Sequence, residues 1–250
     1  MSEEIVPGTL YVVSTPIGNL GDITRRAVEV LSGVDCIAAE DTRTTRVLLD
    51  HLAIRKRLVS HFSYNERQRV PTLLKDLHGG ASVAVVTDAG TPGISDPAHL
   101  LIRRALEEKI NVVPVPGASA FLTALVISGL PTDRFVFEGF LPVKKGRATR
   151  LGRLAGEERT IILYESPHRV ERTLRDLLQH VGDRRVALAR ELTKKFEEVF
   201  RGRLSEAAEH LAQTPPRGEY VLVIAGSSYR DENRDRHAER EDARRPGDQP

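Results

Sequence analysis

Apolar residues along the chain fall into two rhythms. Short runs rich in Val and Ile, at 10–14, 34–39, 57–60, 82–87 and 111–115, have the length and composition of strands buried on both faces. Between the first two, Ile23, Ala27, Val30 and Leu31 recur at helical spacing behind Asp22, which reads as an N-cap, and Gly33 closes the segment. The same spacing returns at 44–52, 70–77, 99–108 and 118–128. Strands alternating with amphipathic helices predict a mostly parallel sheet covered by helices on its faces.

After Gly129-Leu130-Pro131 the rhythm changes. Strand patterns at 134–140, 160–164, 185–189, 197–201 and 220–225 now outnumber the helical ones, at 168–181 and 205–211. Only 190–196 separates two of these strands, which suggests a hairpin, so a second lobe with a mixed sheet is expected from about residue 131. The expected fold class is thus α/β, with two α/β/α lobes: 1–130 with a mostly parallel sheet and 131–226 with a mixed one. A charged tail follows at 227–250. No repeat of fixed period points to a solenoid or propeller.

Composition narrows this further. A chain of 250 residues, 40% of them hydrophobic, can bury one large core or two modest ones. The single cysteine, Cys36, excludes an intramolecular disulfide and a CxxC metal site and fits a reducing cytoplasm. No apolar run approaches the roughly 20 residues of a membrane span. The start, Met1-Ser2-Glu3-Glu4, is acidic where a signal peptide would be basic. A soluble cytoplasmic protein is expected. The formal net charge of +2 conceals a regional difference, since 227–250 holds six Arg against seven acids, net −1, and the remainder 31 Lys+Arg against 28 Asp+Glu, net +3. With little apolar besides Tyr229 and two alanines, the tail cannot offset the entropy of ordering and is expected to be disordered.

The candidate chemistry lies where Gly and Pro fall. The strand at 10–14 runs into Thr15-Pro16-Ile17-Gly18-Asn19, that at 82–87 into Asp88-Ala89-Gly90-Thr91-Pro92-Gly93, and that at 111–115 into Pro116-Gly117-Ala118-Ser119-Ala120. In an open parallel sheet all three follow carboxyl ends of strands, on the edge where ligands bind, and such loops let backbone approach a ligand closely. Turn-making explains any one of them; three on one edge favour a binding site. No G-x-G-x-x-G follows the first strand and no G-x-x-x-x-G-K-[ST] occurs, so the phosphate-binding signatures of dinucleotides and ATP are missing. The 88–96 loop offers amides and two carboxylates without a lysine, which suits a cationic or zwitterionic ligand. Scattered His and the lone Cys give no metal-ligand spacing, so no metal is expected.

The ordered strings STPIGNLGD, AAEDTRTT, VTDAGTPGISDPA, VPGASA, FEGFLP and YESPHRV resemble the tetrapyrrole methylase family, the class III S-adenosylmethionine methyltransferases, from about Gly8 to Gly226. The resemblance implies a two-lobed α/β homodimer holding S-adenosyl-L-methionine in a cleft between lobes. Within the family, Glu165-Ser166-Pro167-His168-Arg169 stands where porphyrin-precursor methylases resemble Tyr-Met-Gly. That departure implies the branch that methylates the 2′-oxygen of a cytidine in the decoding region of 16S rRNA of the small ribosomal subunit. Carried over by position, the cofactor residues are Pro16, Asp88, Ala89, Gly90, Gly93, Ser119 and Ala120, with Glu165 lining the cofactor from the second lobe. Pro97-Ala98 replaces an expected Pro-Gly.

Methyl transfer from a sulfonium requires an in-line nucleophile, so positioning dominates, and a ribose hydroxyl must lose its proton as it reacts. Asp41 and Glu165 are the candidate catalytic carboxylates, with Arg43 as a phosphate holder; Asp41 equally reads as a helix cap facing the dipole. His61 and His168 read first as structural residues. Tyr64, Tyr164, Phe137 and Phe140 can stack on bases, though aromatics beside strands usually belong to the core. Lys144, Lys145, Arg147, Arg150 and Arg153 form a run with no acid between them and are the candidate RNA-binding residues. The alternatives are a tetrapyrrole-type small-molecule methylase and a non-catalytic module that binds S-adenosylmethionine or RNA.

Overall fold

A computed structural model describes residues 4–213 and 215–230. The chain forms two compact units, one comprising residues up to Ile127 with Ala189–Val199, the other 128–188 with the chain from Phe200 on.

The first unit is built on strands β1 (Thr9–Val13), β2 (Cys36–Ala39), β3 (Arg57–Ser60), β4 (Val83–Val86) and β5 (Asn111–Val115), in spatial order β3-β2-β4-β1-β5. Every pairing in it is parallel. Helices α1 (Arg25–Gly33), α2 (Thr42–His51), α3 (Glu66–His78), α4 (His99–Glu107) and α5 (Ala120–Ile127) connect or follow the strands. Side chains alternate between the two faces of the sheet. Tyr11, Val13, Ile37, Ala39, Ala84 and Val86 pack with Ala27, Val30 and Leu31 of α1 and Leu49 of α2. Leu10, Cys36, Ala38, Val83 and Val85 pack with Leu73 and Leu77 of α3 and Leu101 and Ala105 of α4. Both faces are therefore dry, which is why these strands read as continuous apolar runs.

Helix ends show where local chemistry overrides periodicity. The cap of α1 is Thr24, whose hydroxyl accepts from Ala27 N at 3.1 Å; the predicted cap, Asp22, lies in a single 3-10 turn, Leu20–Asp22, capped by Asn19. Helix α3 begins at Glu66, ahead of the predicted 70, and carries Pro71 inside it. The apolar stripe of Val70, Leu73, Leu74 and Leu77 begins only after the polar turn Glu66-Arg67-Gln68-Arg69, so spacing alone sets that boundary late.

The second unit contains β6 (Phe135–Phe140), α6 (Arg147–Ala155), β7 (Thr160–Glu165), α7 (Val170–Val181), β8 (Arg185–Arg190), β9 (Glu198–Arg203), α8 (Leu204–Gln213) and β10 (Tyr220–Ile224). Its sheet runs β6-β7-β10-β8-β9; β6 and β7 are parallel, β7 and β10 antiparallel, so the sheet is mixed. The far ends of β8 and β9, with their connection, group with the first unit. Helix α6 was not expected. Three arginines and Gly152 mask its apolar spacing, yet Leu151 and Leu154 are buried in the core with Leu174, Leu177 and Leu211.

Disorder was expected from residue 227, but Ser227 N donates to Glu157 O at 2.7 Å and Ser228 Oγ to Glu158 O at 3.1 Å. The first residues of that stretch therefore belong to the fold. The rest of the expected tail, 231–250, lies outside the described residues.

Candidate functional site

The strand order of the first unit creates a switch point. β1 and β4 are neighbours, yet the chain leaves β1 for α1 on one face and β4 for α4 on the other. A crevice opens at the carboxyl ends of such a pair.

The loops there are knit together. Thr15 and Gly90 exchange backbone hydrogen bonds, Thr15 N to Gly90 O at 2.9 Å and Gly90 N to Thr15 O at 3.1 Å. Thr15 Oγ1 donates to Thr87 O at 3.1 Å, and the Ser14 and Thr91 hydroxyls meet at 2.9 Å. Thr91 Oγ1 also donates to Ala118 O at 3.4 Å. A Cβ on Gly117 would lie 2.8 Å from Ser14 Cβ, so glycine is what lets the third loop close on the first. Gly90 and Gly93 have φ of +83° and +85°, a region that favours glycine. Ser119 O accepts from Thr123 N and Oγ1 at 3.0 and 2.8 Å, which opens α5 directly after it. The structure thus brings the loops of Pro16, of Asp88, Ala89, Gly90 and Gly93, and of Ser119 and Ala120 to one place. Ser14, Thr15, Thr87 and Thr91, which hold them there, had only one sequence signal: hydroxyl residues at the ends of buried strands.

Three carboxylates meet beside these loops. Glu40 Oε2 accepts from Thr87 Oγ1 and, at 3.3 Å, from Asp88 N, while Asp88 Oδ1 accepts from Asp41 N at 3.1 Å. Asp41 caps α2, accepting from Arg43 N at 2.8 Å, and its second oxygen binds Arg43 Nη2 at 2.6 Å. The side-chain hydrogen bonds from Arg43 hold the Asp41 carboxyl down to about 2. The carboxylate offered by the sequence as a proton acceptor is thus partnered by a guanidinium and two helix amides. Asp88 shifts the other way. Partial withdrawal from water raises its carboxyl, Glu40 and Asp41 add like charge, and the Asp41 amide and Arg43 oppose the rise.

The 190–196 connection, expected as a simple hairpin turn, packs against the loop after β1. Glu191 and Thr193 hold φ of 50° and 66°, costly for ordinary residues and most so for β-branched Thr. Lys194 Nζ pairs with Glu191 Oε1 at 2.9 Å, and the lysine stem fills the space beside Gly18, where a Cβ would lie 2.4 Å from Lys194 Cγ. Nothing in the local pattern marked these residues.

In the second unit, Glu165, the other candidate carboxylate, lies at the end of β7. Its side chain is 0% exposed, Oε1 accepts from Ser166 N at 2.9 Å and pairs with Arg169 Nε at 3.2 Å, and Oε2 accepts from Thr173 Oγ1 at 2.7 Å. Both oxygens serve the interior of the unit, because a buried carboxylate must be fully partnered. Thr173 Oγ1 in turn accepts from Arg147 Nη2 at 2.8 Å, and Arg147 donates to Asp176 Oδ2 at 2.7 Å and Pro142 O at 3.1 Å. Arg147 is therefore buried structure and leaves the set of RNA-binding candidates. Arg150 pairs with Glu138 at 2.9 Å, so its charge is largely balanced; Lys144, Lys145 and Arg153 are exposed. His61 is buried, and burial lowers its pKa, with Glu66 opposing, so it is neutral at pH 7. Phe137 and Phe140 pack on Tyr164 at ring separations of 5.0 and 5.6 Å. Among the described residues no group of His, Cys, Asp and Glu has metal-binding geometry, and no helix is long and apolar enough to cross a membrane.

Two parallel-and-mixed α/β units with these loops define a methylase fold. The methyltransferase CobJ matches with TM-score 0.67 at 21% identity over 90% of this chain and 96% of that one, and diphthine synthase with TM-score 0.67 at 13% identity over 87% and 90%. The chain belongs to the family described as Tetrapyrrole (Corrin/Porphyrin) Methylases, which matches residues 9–208. Among its relatives, the protein named Ribosomal RNA small subunit methyltransferase I of Synechocystis sp. is 52% identical over 90% of this chain and 81% of that protein. Those of the same name from Escherichia coli O157:H7 and Thermotoga maritima are each 48% identical, over 90% and 88% of this chain and 80% and 99% of theirs.

Proposed function

We propose that the protein is an S-adenosylmethionine-dependent methyltransferase acting on RNA of the small ribosomal subunit, at the ribose 2′-oxygen of a cytidine in the decoding region of 16S rRNA. The observation that carries this reading is the convergence of the three Gly- and Pro-containing loops at the β1–β4 switch point, together with the 52% identity to a relative named for methylating small-subunit ribosomal RNA. A cytoplasmic location, where ribosomes are assembled, and a homodimer follow as parts of the same proposal.

The residues present fit the methyl donor. Glu40, Asp41 and Asp88 give the site net negative charge against the single Arg43, which complements a ligand bearing sulfonium and ammonium groups. The amides at the start of α5, after Ser119, suit its carboxylate. When bound, S-adenosylmethionine supplies an activated methyl group with a neutral thioether as leaving group. The chain's own work is to orient: Thr15, Gly90 and Thr91 fix the loops, and Gly117 closes the third loop onto the first. Beside these loops the Asp88 carboxyl is raised by partial burial and by the like charges of Glu40 and Asp41, which distinguishes it from Asp41 with its Arg43 partner. Lys144, Lys145 and Arg153 are proposed phosphate contacts.

Mass mapping of ribose methylation in 16S rRNA from cells with and without the gene tests the reading. Loss of one 2′-O-methylcytidine in the gene-less strain is expected. An unchanged methylation map, or no heat of binding with S-adenosylmethionine in calorimetry, would refute it.

A further inference from the structure

Tyr64 is 94% exposed and Phe62 37%. Both lie in the turn 61–65 that follows edge strand β3, with ring centroids 6.3 Å apart. The turn is built to hold them there. Asn65 Oδ1 accepts from Phe62 N at 2.8 Å, Asn65 Nδ2 donates to Ser60 O at 3.2 Å, and Asn65 N donates to Phe62 O at 2.9 Å. A tyrosine so exposed contributes almost nothing to the core, and an ordered turn presenting one asks for a ligand with a flat face.

Position and charge indicate which ligand. Strands β3, β2 and β4 are successive neighbours, so the turn after β3 lies on the same edge as the Asp88 loop, about 10 Å away at two strand spacings. The two are tied directly: Glu66, next to the turn, accepts from Ala98 N at 3.2 Å at the end of the segment that begins with Asp88. Arg67, in the first turn of α3 and three residues after Tyr64, is exposed on the same side of the chain end of β3. An aromatic face with an arginine beside it, on the edge that carries the site for a methyl donor, is the chemistry of unpaired RNA, whose bases stack on the ring while its phosphates meet the cation.

We propose that Tyr64, backed by Phe62, is a stacking platform for an unpaired nucleobase of the RNA substrate, with Arg67 contacting an adjoining phosphate. This rests on the reading of the chain as an RNA methyltransferase and adds to it the surface that presents the strand.

The protein contains no tryptophan, so Tyr64→Trp introduces a single reporter at the platform. Titration of full-length protein with an unstructured RNA dodecamer is expected to quench that fluorescence, while wild-type and Tyr64→Trp proteins bind with similar affinity. Tyr64→Ala is expected to weaken binding about 5- to 150-fold, the fold-change of about 1–3 kcal/mol per stacked base, and to raise KM for small ribosomal subunits more than it lowers kcat. Melting temperature and calorimetric affinity for S-adenosylmethionine should not move. If wild-type protein methylates the subunits and Tyr64→Ala does so with the same KM and RNA affinity, the platform is wrong and the function stands. If wild-type protein neither binds nor methylates RNA, both fall. A change of sedimentation in Tyr64→Ala with RNA affinity intact would make this face a contact between copies of the chain and also overturn the proposal.

Discussion

Replacing Arg147 separates a structural cation from a nucleic-acid contact. In Arg147→Ala, Asp176 keeps only Arg172 at 3.7 Å, and the bonds to Thr173 Oγ1 and Pro142 O vanish. Removing one partner of a buried ion pair costs about 3–5 kcal/mol. The Asp176 side chain is a quarter exposed, so water re-solvates part of it and the lower figure, about 3 kcal/mol, applies. For a protein of this size 1 kcal/mol moves the midpoint about 2–4 °C, so thermal unfolding followed by circular dichroism should show a drop of roughly 6–12 °C. Arg147→Lys should recover little, because one ammonium cannot reach three acceptors in the fork geometry of a guanidinium. The triple variant Lys144→Gln, Lys145→Gln, Arg153→Gln should melt with the wild type, since exposed substitutions shift stability by no more than about 0.5 kcal/mol. It should nevertheless flatten the dependence of RNA affinity on salt. An Arg147→Ala protein that melted normally but lost RNA affinity would refute the assignment of this arginine to the interior.

The acid cluster gives opposite pH signatures for its members. Asp88 has a raised folded pKa, so its ionisation costs stability above the unfolded value near 3.8; Asp88→Asn should melt higher at pH 7, lose that advantage as pH falls below about 4, and bind S-adenosylmethionine more weakly in calorimetry. Asp41 has a folded value of about 2, so its stabilisation is complete above about 4 and disappears as pH falls toward 2; Asp41→Asn should melt below the wild type at pH 7 and converge with it near pH 2. Ala98 is buried with φ +122°, a conformation that costs about 1–3 kcal/mol without glycine; set against a lost methyl of about 0.8 kcal/mol and about 0.4–1 kcal/mol of unfolded-chain entropy, Ala98→Gly should melt at or slightly above the wild type, and a clear fall in midpoint would count against strain there. Gly117→Ala forces its new Cβ to within 2.8 Å of Ser14 Cβ, so it should weaken cofactor binding at least tenfold, and unchanged calorimetry would show that the third loop can retreat without cost.

The first sheet was legible because its physics is local and repetitive. Strands buried on both faces must be apolar throughout, and the helices that cover them must carry one apolar stripe, so continuous apolar runs and the 3.6 period survive in the sequence. Helix α6 was illegible for the converse reason. Its apolar face is narrow, and the residue that anchors it, Arg147, is an arginine whose partners, Thr173 and Asp176, lie 26 and 29 residues further along. The start of α3 was misplaced because its first turn, Glu66-Arg67-Gln68-Arg69, carries no apolar residue to extend the stripe that begins at Val70.

The site divided along the same line. Gly and Pro record backbone requirements, and a backbone requirement is set by the turn itself; hence the loops of Pro16, Asp88 and Ser119 could be placed on one edge from sequence, and the Thr15–Gly90 bridge joins them there. Carboxylates and cations record nothing of the kind. Asp41, Asp88 and Glu165 are acids at the carboxyl ends of strands, indistinguishable by pattern, yet one is a cap neutralised by Arg43, one sits among like charges, and one is sealed inside the second unit. What separates them is the set of donors each meets across dozens of residues of chain, and a charge changes its role by several kcal/mol when those donors change. The same holds for Tyr64, whose neighbours in sequence are those of an ordinary strand-end aromatic and whose exposure follows only from the edge position of β3 and the turn that Asn65 closes. Roles of ionisable and aromatic side chains therefore had to wait for the fold, while the address of the site did not.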